Sequence, residues 1–193
     1  MMEHGIGEKM HESQLEEAVR EIDTGNYGRA RSLLQALGNE KEAQLQLAYL
    51  YQTGLGGDSE PAKTQEIYQS IADAGDVRGM YYLASLMLEK RQLKEALDYF
   101  EKSAQLGHIS GSYWAAALHS GLYEHPKDEE KYLFFLGKAA QLGHVFAIRD
   151  QAVLDMHSAK NFLVWGKSFL RCLAAKIEGI FIAIRNPHDL RVR

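Results

Sequence analysis

Of its 193 residues, one is cysteine and three are proline. With Cys172 alone, no disulfide can form within the chain, and no cysteine cluster exists for zinc or an iron–sulfur centre. Positive charge is not in excess: the net charge of −4 and the pI near 6.1 argue against a general nucleic-acid binder. The opening MMEHGIGEKMHESQLEE has no apolar core of seven or more residues, so no signal peptide is visible and a cytoplasmic setting is expected. No segment sustains a period of two, so strands are not required. Lys167, Arg171, Lys176 and Glu178 interrupt every long apolar window of the C-terminal region, which argues against a transmembrane span.

What remains is the composition of an ordinary folded protein, 46% hydrophobic and 25% charged. Charge is unevenly placed. Residues 1–156 hold 15 Lys and Arg against 24 Asp and Glu, and residues 157–193 hold 7 against 2, so an acidic body carries a basic tail.

The chain repeats itself. IADAGD (71–76), SAQLGH (103–108) and AAQLGH (139–144) end alike, with Gly75, Gly107 and Gly143 spaced by 32 and 36 residues. LAYLY (47–51), LASLM (83–87), AAALH (115–119) and QAVLD (151–155) keep the same register through Ala48, Ala84, Ala116 and Ala152. Two independent markers on one period make this a tandem array. Within a unit, Met80, Leu83, Ala84 and Met87, then Leu97, Phe100 and Ala104, recur at helical spacing, which predicts a pair of helices. The glycines fall where a helix stops, in the left-handed position that costs glycine least. Small residues such as Ala72 and Gly79, or Ala104 and Gly111, allow neighbouring helices to approach closely. Residues 12–38 form a further helix pair broken at Gly25-Asn26. AAKIEGIFIAI (174–184) echoes AAQLGHVFAI (139–148) with one inserted residue, so the period persists, degraded, into the tail.

AQLQLAYLYQTGLGGD (43–58) and KAAQLGHVFA (138–147) resemble the first helix and loop, and the second helix and junction, of a Sel-one-like repeat, a branch of the tetratricopeptide clan. The matching positions of the first unit are Ala43, Leu47, Ala48, Tyr51, Gly54, Gly56, Ala72 and Gly75. The second unit departs from the pattern, with Glu89, Lys90 and Arg91 in place of the glycine loop. The fourth has Asp155 where an aromatic is expected. The organisation expected is a flexible N-terminus (1–11), a tetratricopeptide-like helix pair (12–42), Sel-one-like repeats (43–156), a degenerate last repeat or capping amphipathic helix (157–185) and a basic flexible tail (186–193). The resemblance implies an all-α, right-handed helical-repeat solenoid whose first helices line a concave face. It also implies a non-catalytic scaffold in a bacterial multiprotein assembly, with another protein or peptide as partner and no cofactor.

Candidate chemistry is thin. His108 and His144 occupy equivalent positions after the capping glycines, one repeat apart, which fits helix starts better than converging metal ligands. No metal site is expected. GLGGD (54–58) follows a helix and lacks a lysine and hydroxyl in register, so it reads as a flexible inter-helix turn and not a phosphate cradle. Cys172 lies beside Leu170 and Leu173 on a predicted helix, where structural burial is favoured over reactivity or lipidation. No catalytic residue is assigned.

Two surfaces are candidates for binding. Tyr49, Tyr51, Tyr82, Tyr113, Trp114 and His119 belong to first helices and would serve as anchors on the concave face, although Tyr51 and Met87 also fill core positions. In the tail, Lys160, Lys167, Arg171, Glu178 and Arg185 share one helix direction, opposite Phe162, Trp165, Phe169, Leu173, Ile177, Ile180 and Ile184. That apolar face could pack on the preceding repeat as a cap, lie in a membrane surface at the inner face of the membrane, or bury itself in a partner or second copy.

Overall fold

The computed structural model describes residues 2–186, with side chains described from Glu12 onward. The basic tail read over 186–193 therefore lies, beyond Asn186, outside the described residues. Ten α-helices account for nearly everything described, and no strand occurs among the described residues. They are α1 (Met2–Asp23), α2 (Tyr27–Ala36), α3 (Lys41–Thr53), α4 (Pro61–Asp73), α5 (Val77–Glu89), α6 (Leu93–Gln105), α7 (Ile109–His119), α8 (Glu129–Gln141), α9 (Val145–Ser158) and α10 (Phe162–Arg185). A short 3-10 turn, Leu122–Glu124, precedes α8. Helix α1 takes in the stretch read from the sequence as a flexible N-terminus.

The junctions between repeats follow one local rule. After α4, α6 and α8 the chain passes through Gly75, Gly107 and Gly143 at φ of 81°, 88° and 89°, and the next N–H returns to a carbonyl of the helix just ended. Those bonds are Asp76 to Ile71 at 3.2 Å, His108 to Ser103 at 2.9 Å and His144 to Ala139 at 2.9 Å. The residue after the glycine then accepts a backbone N–H of the next helix. Asp76 accepts from Arg78 at 2.9 Å, His108 Nδ1 from Gly111 at 3.0 Å, and His144 Nδ1 from Ala147 at 3.4 Å. The two histidines are thus buried helix caps. Gly179 keeps the period but is followed by Ile180, whose side chain cannot accept. Helix α10 accordingly runs straight through it, and the echo seen in the sequence is not a junction.

The molecule divides into two compact units, Met1–Gly79 and Met80–Arg193. In the first, Ala18, Ala30, Leu34, Leu47, Leu50 and Tyr51 form the core. Close approach is visible at Gly79, where a Cβ would meet the Ala72 backbone nitrogen at 2.7 Å. The GLGGD segment is not a free turn. Buried Arg31 donates to the Asp58 carbonyl at 3.1 Å and to the Glu60 carboxylate, and its guanidinium lies 4.3 Å from the Tyr51 ring centre. A buried cation that holds a loop carbonyl, a carboxylate and an aromatic face fixes that loop to α2. Pro61 is the first residue of α4, where its missing N–H costs nothing.

Asp76 binds the junction of this unit electrostatically. Burial opposes its charge, but the Arg78 N–H and the Lys41 ammonium at 3.2 Å outweigh that and hold its carboxyl below the usual range. A lowered folded pKa stabilises above the unfolded value and loses that contribution as pH falls through the folded one. Asp76→Asn is therefore expected to lower stability by about 1 kcal/mol at neutral pH. The difference from wild type should vanish as pH drops below the carboxylate range, which thermal melts across pH would read.

In the second unit, Phe100 stands at the centre of a core with Tyr81, Ala96, Ala115, Leu118, Phe135 and Leu136. Helix α10 lies along α9 through Ser168, Cys172, Ala175, Gly179 and Ile182. A Cβ on Gly179 would sit 3.1 Å from Val145, so the contact is close because the residues are small. Of the three readings of the broad apolar face, packing on the preceding repeat does not hold, because the face is turned to solvent: Phe162 is 84% exposed and Ile184 80%. The small residues face inward because only they let the two backbones approach this closely.

Candidate functional site

The second unit contains a groove of about 730 Å³ lined by aromatic side chains. Helix α5 contributes Tyr81, Ser85, Leu88 and Glu89, α7 contributes Tyr113 and Trp114, and α9 contributes Phe146. Arg91 and Tyr123, from the segments after α5 and α7, complete the lining. Its walls are set by the repeat junctions. Tyr81 stacks on the capping His108 with ring centres 4.4 Å apart, and Tyr113 on the capping His144 at 4.2 Å. The same tyrosine–histidine pair thus recurs from one repeat to the next and orients an aromatic from each first helix. Phe146 lies 6.3 Å from Tyr113, and Trp114 stacks on Phe100 of the core at 6.1 Å.

Arg91 departs from the chain's own rule. The hydrogen-bond pattern that ends α4, α6 and α8 also ends α5, where Gln92 returns to Met87 at 2.9 Å. The left-handed residue there is Arg91, at φ 59°, and not glycine. Tyr123 and Glu124 are also left-handed, at 57° and 65°. Among the described residues these are the non-glycine residues with positive φ, and Arg91 and Tyr123 touch, the guanidinium lying 4.9 Å from the ring centre. A conformation that costs a side chain about 1–3 kcal/mol is kept where the side chain has a use, and such strain gathers at functional sites.

Close to this aromatic wall lies a fixed charge pair. Arg149 donates to Asp150 at 2.7 Å, and Tyr113 donates its hydroxyl to Asp150 at 3.4 Å. Burial, and then the Asp150 charge, push the Tyr113 phenol up, so it stays a donor. Burial works against the Arg149 charge, but the bond to Asp150 prevails and raises its pKa. The groove offers aromatic faces, a hydroxyl in Ser85 and opposite charges in Glu89 and Arg91. No group of three or more His, Cys, Asp or Glu among the described residues is placed to hold a metal.

Of the residues expected on a binding face, Tyr113 and Trp114 line this groove. Tyr82 is partly buried against the core and meets Tyr81 edge-on at 5.4 Å. Tyr49 belongs to the first unit and is partly buried on its core. Tyr51 and His119 are both buried. Gln35 donates to the Tyr51 hydroxyl at 2.9 Å while Arg31 covers its ring. His119 stacks on Phe135 and binds Glu101 through Nε2 at 2.6 Å, so its ring is packed within the core. Tyr81 was missed although it lies one 32-residue period before Tyr113. Phe146 and Tyr123 carry no comparable signal. In the tail, Lys160, Lys167 and Arg185 are exposed, and Arg171 pairs with Asp155 at 2.7 Å.

Comparison with known proteins agrees with this architecture. The Sel1 repeat model matches residues 41–76, 77–108 and 112–144, more than half of the chain. No curated protein sequence matches it. Among solved structures, a Sel1 repeat protein from Oxalobacter formigenes is 18% identical with a TM-score of 0.70, over 86% of this chain and 68% of that one. A protective antigen of uropathogenic Escherichia coli with an SLR fold is 21% identical, TM-score 0.64, over 77% of this chain and 34% of the antigen. The chain therefore spans about a third of the antigen's length. A Pseudomonas aeruginosa protein is 20% identical, TM-score 0.58, over 86% of this chain and 66% of its own.

Proposed function

Because the chain belongs to the Sel1 repeat family, whose repeats generally mediate protein–protein interactions, we propose that it is a non-catalytic scaffold that holds a segment of another protein in the groove of the second unit. The setting is a bacterial multiprotein assembly on the cytoplasmic side of the membrane. The observation that carries this reading is Arg91, a strained arginine in a motif the chain otherwise builds with glycine, set over Tyr123 at the groove. Trp114 and Tyr113 supply the large rigid surfaces from which binding hot spots are built.

The reading separates stability from binding. Arg91→Gly relieves the backbone and is expected to raise stability by about 1 kcal/mol, seen as a melting temperature about 2–4 °C higher. The same change removes the cation over Tyr123 and should weaken a groove-bound peptide about fivefold or more. Peptides selected from a displayed library against the purified protein provide the ligand, and titration of both proteins provides the comparison. Unchanged affinity in Arg91→Gly, for ligands that Trp114→Phe weakens, would remove Arg91 from the site. Ligands indifferent to Trp114→Phe, Tyr123→Ala and Arg91→Gly alike would remove the groove.

A further inference from the structure

Helix α10 turns its small residues to α9 and its large apolar residues to solvent, and we infer that this outer face lies in the plane of an anionic lipid surface. The inference goes beyond the scaffold reading and rests on a different element. Over 24 residues, about 36 Å of helix, the exposed side chains include Phe162, Leu170, Leu173, Ile177, Ile180 and Ile184. The inward stripe of Ser168, Cys172, Ala175 and Gly179 lies about 145° from the centre of this face at 100° per residue. Helix α10 therefore keeps its contact with α9 while the outer face is occupied.

Charge identifies the occupant. Lys167 and Arg185 border the apolar face on one side and Lys176 on the other; Glu178, the helix's one acid, and Arg171, which pairs with Asp155, lie just behind the first margin. Trp165 sits beside the Lys176 border, stacked on Phe169 at 5.3 Å. A helix with apolar residues between cationic margins places its face at the headgroup–acyl boundary and its cations on anionic headgroups. No described helix is long and apolar enough to cross a membrane, so the helix lies on the surface and does not span it. A second copy is a poorer occupant. Two α10 faces set together would bring cationic margins against each other with one glutamate per helix to offset them. A lipid leaflet supplies a continuous apolar layer and negative charge on both sides at once.

Flotation with vesicles tests this on the full chain. Vesicles of phosphatidylcholine with phosphatidylglycerol should carry the protein at low salt and release it at high salt, and phosphatidylcholine alone should not carry it. Lys167→Glu with Lys176→Glu should weaken binding at least about tenfold. Leu170→Ser with Ile177→Ser should do the same. All four side chains are exposed, so both variants should keep the wild-type circular dichroism and melting temperature. Failure of the wild type to float with anionic vesicles overturns the inference. So does equal flotation without phosphatidylglycerol that charge reversal leaves unchanged. A lipid-free dimer, seen by light scattering and dissociated by Leu170→Ser with Ile177→Ser, would assign the face to a second copy instead.

Discussion

Phe100→Ala is expected to destabilise the protein by about 3–5 kcal/mol, a fall in melting temperature of roughly 6–20 °C. Phe100 is fully buried, and its ring lies 6.0 Å from Tyr81 and 6.1 Å from Trp114. Truncation removes the transfer energy of the ring and leaves a cavity between α5, α6 and α7 that close-packed neighbours can only partly fill. Because Tyr81 and Trp114 are groove residues, the loss should also reach binding. Phe100→Leu keeps most of the volume and should cost about a third as much. A melting temperature within a degree or two of wild type for Phe100→Ala would mean the second unit is not organised around this ring.

Gly56→Ala is the second large effect. Gly56 has φ 79°, and a Cβ there would lie 2.5 Å from the carbonyl carbon and oxygen of Tyr27. Both atoms are backbone, so neither can move aside as a side chain would. Gly25 supplies the control: its φ is 81°, yet a Cβ would meet nothing within 4 Å. Gly25→Ala should therefore cost only the left-handed conformation, about 1 kcal/mol, and Gly56→Ala about 3 kcal/mol or more. Denaturant melts of the two variants isolate the close approach of the GLGGD loop to the start of α2. Equal costs would show that the loop does not press on α2 as described.

The repeats were legible because their constraints are local. A glycine at the end of one helix and a capping side chain at the start of the next are neighbours in sequence, so Gly75-Asp76, Gly107-His108 and Gly143-His144 announce themselves. The tail was legible as amphipathic but not in its orientation. Periodicity separates the faces of α10 without saying which one meets α9, and close approach of two backbones selected Ala175 and Gly179 over the larger residues. Burial of His119 was equally hidden, since it depends on Phe135, which is brought to it by the fold. The groove was half legible. Tyr113 and Trp114 stand out by residue type, whereas Phe146, Tyr123 and the backbone of Arg91 acquire meaning only when α5, α7 and α9 are placed side by side.

The most direct test of the groove as a partner-binding site is site-specific photo-cross-linking in the native cell. A photoreactive phenylalanine analogue would be placed at Leu88 or Tyr123 within the groove, and at exposed Leu133 outside it as the control. The expected result is one and the same protein adduct from Leu88 and Tyr123, absent from Leu133 and diminished by Arg91→Gly. Adducts that form equally from Leu133, or none from either groove position at native expression, would contradict it.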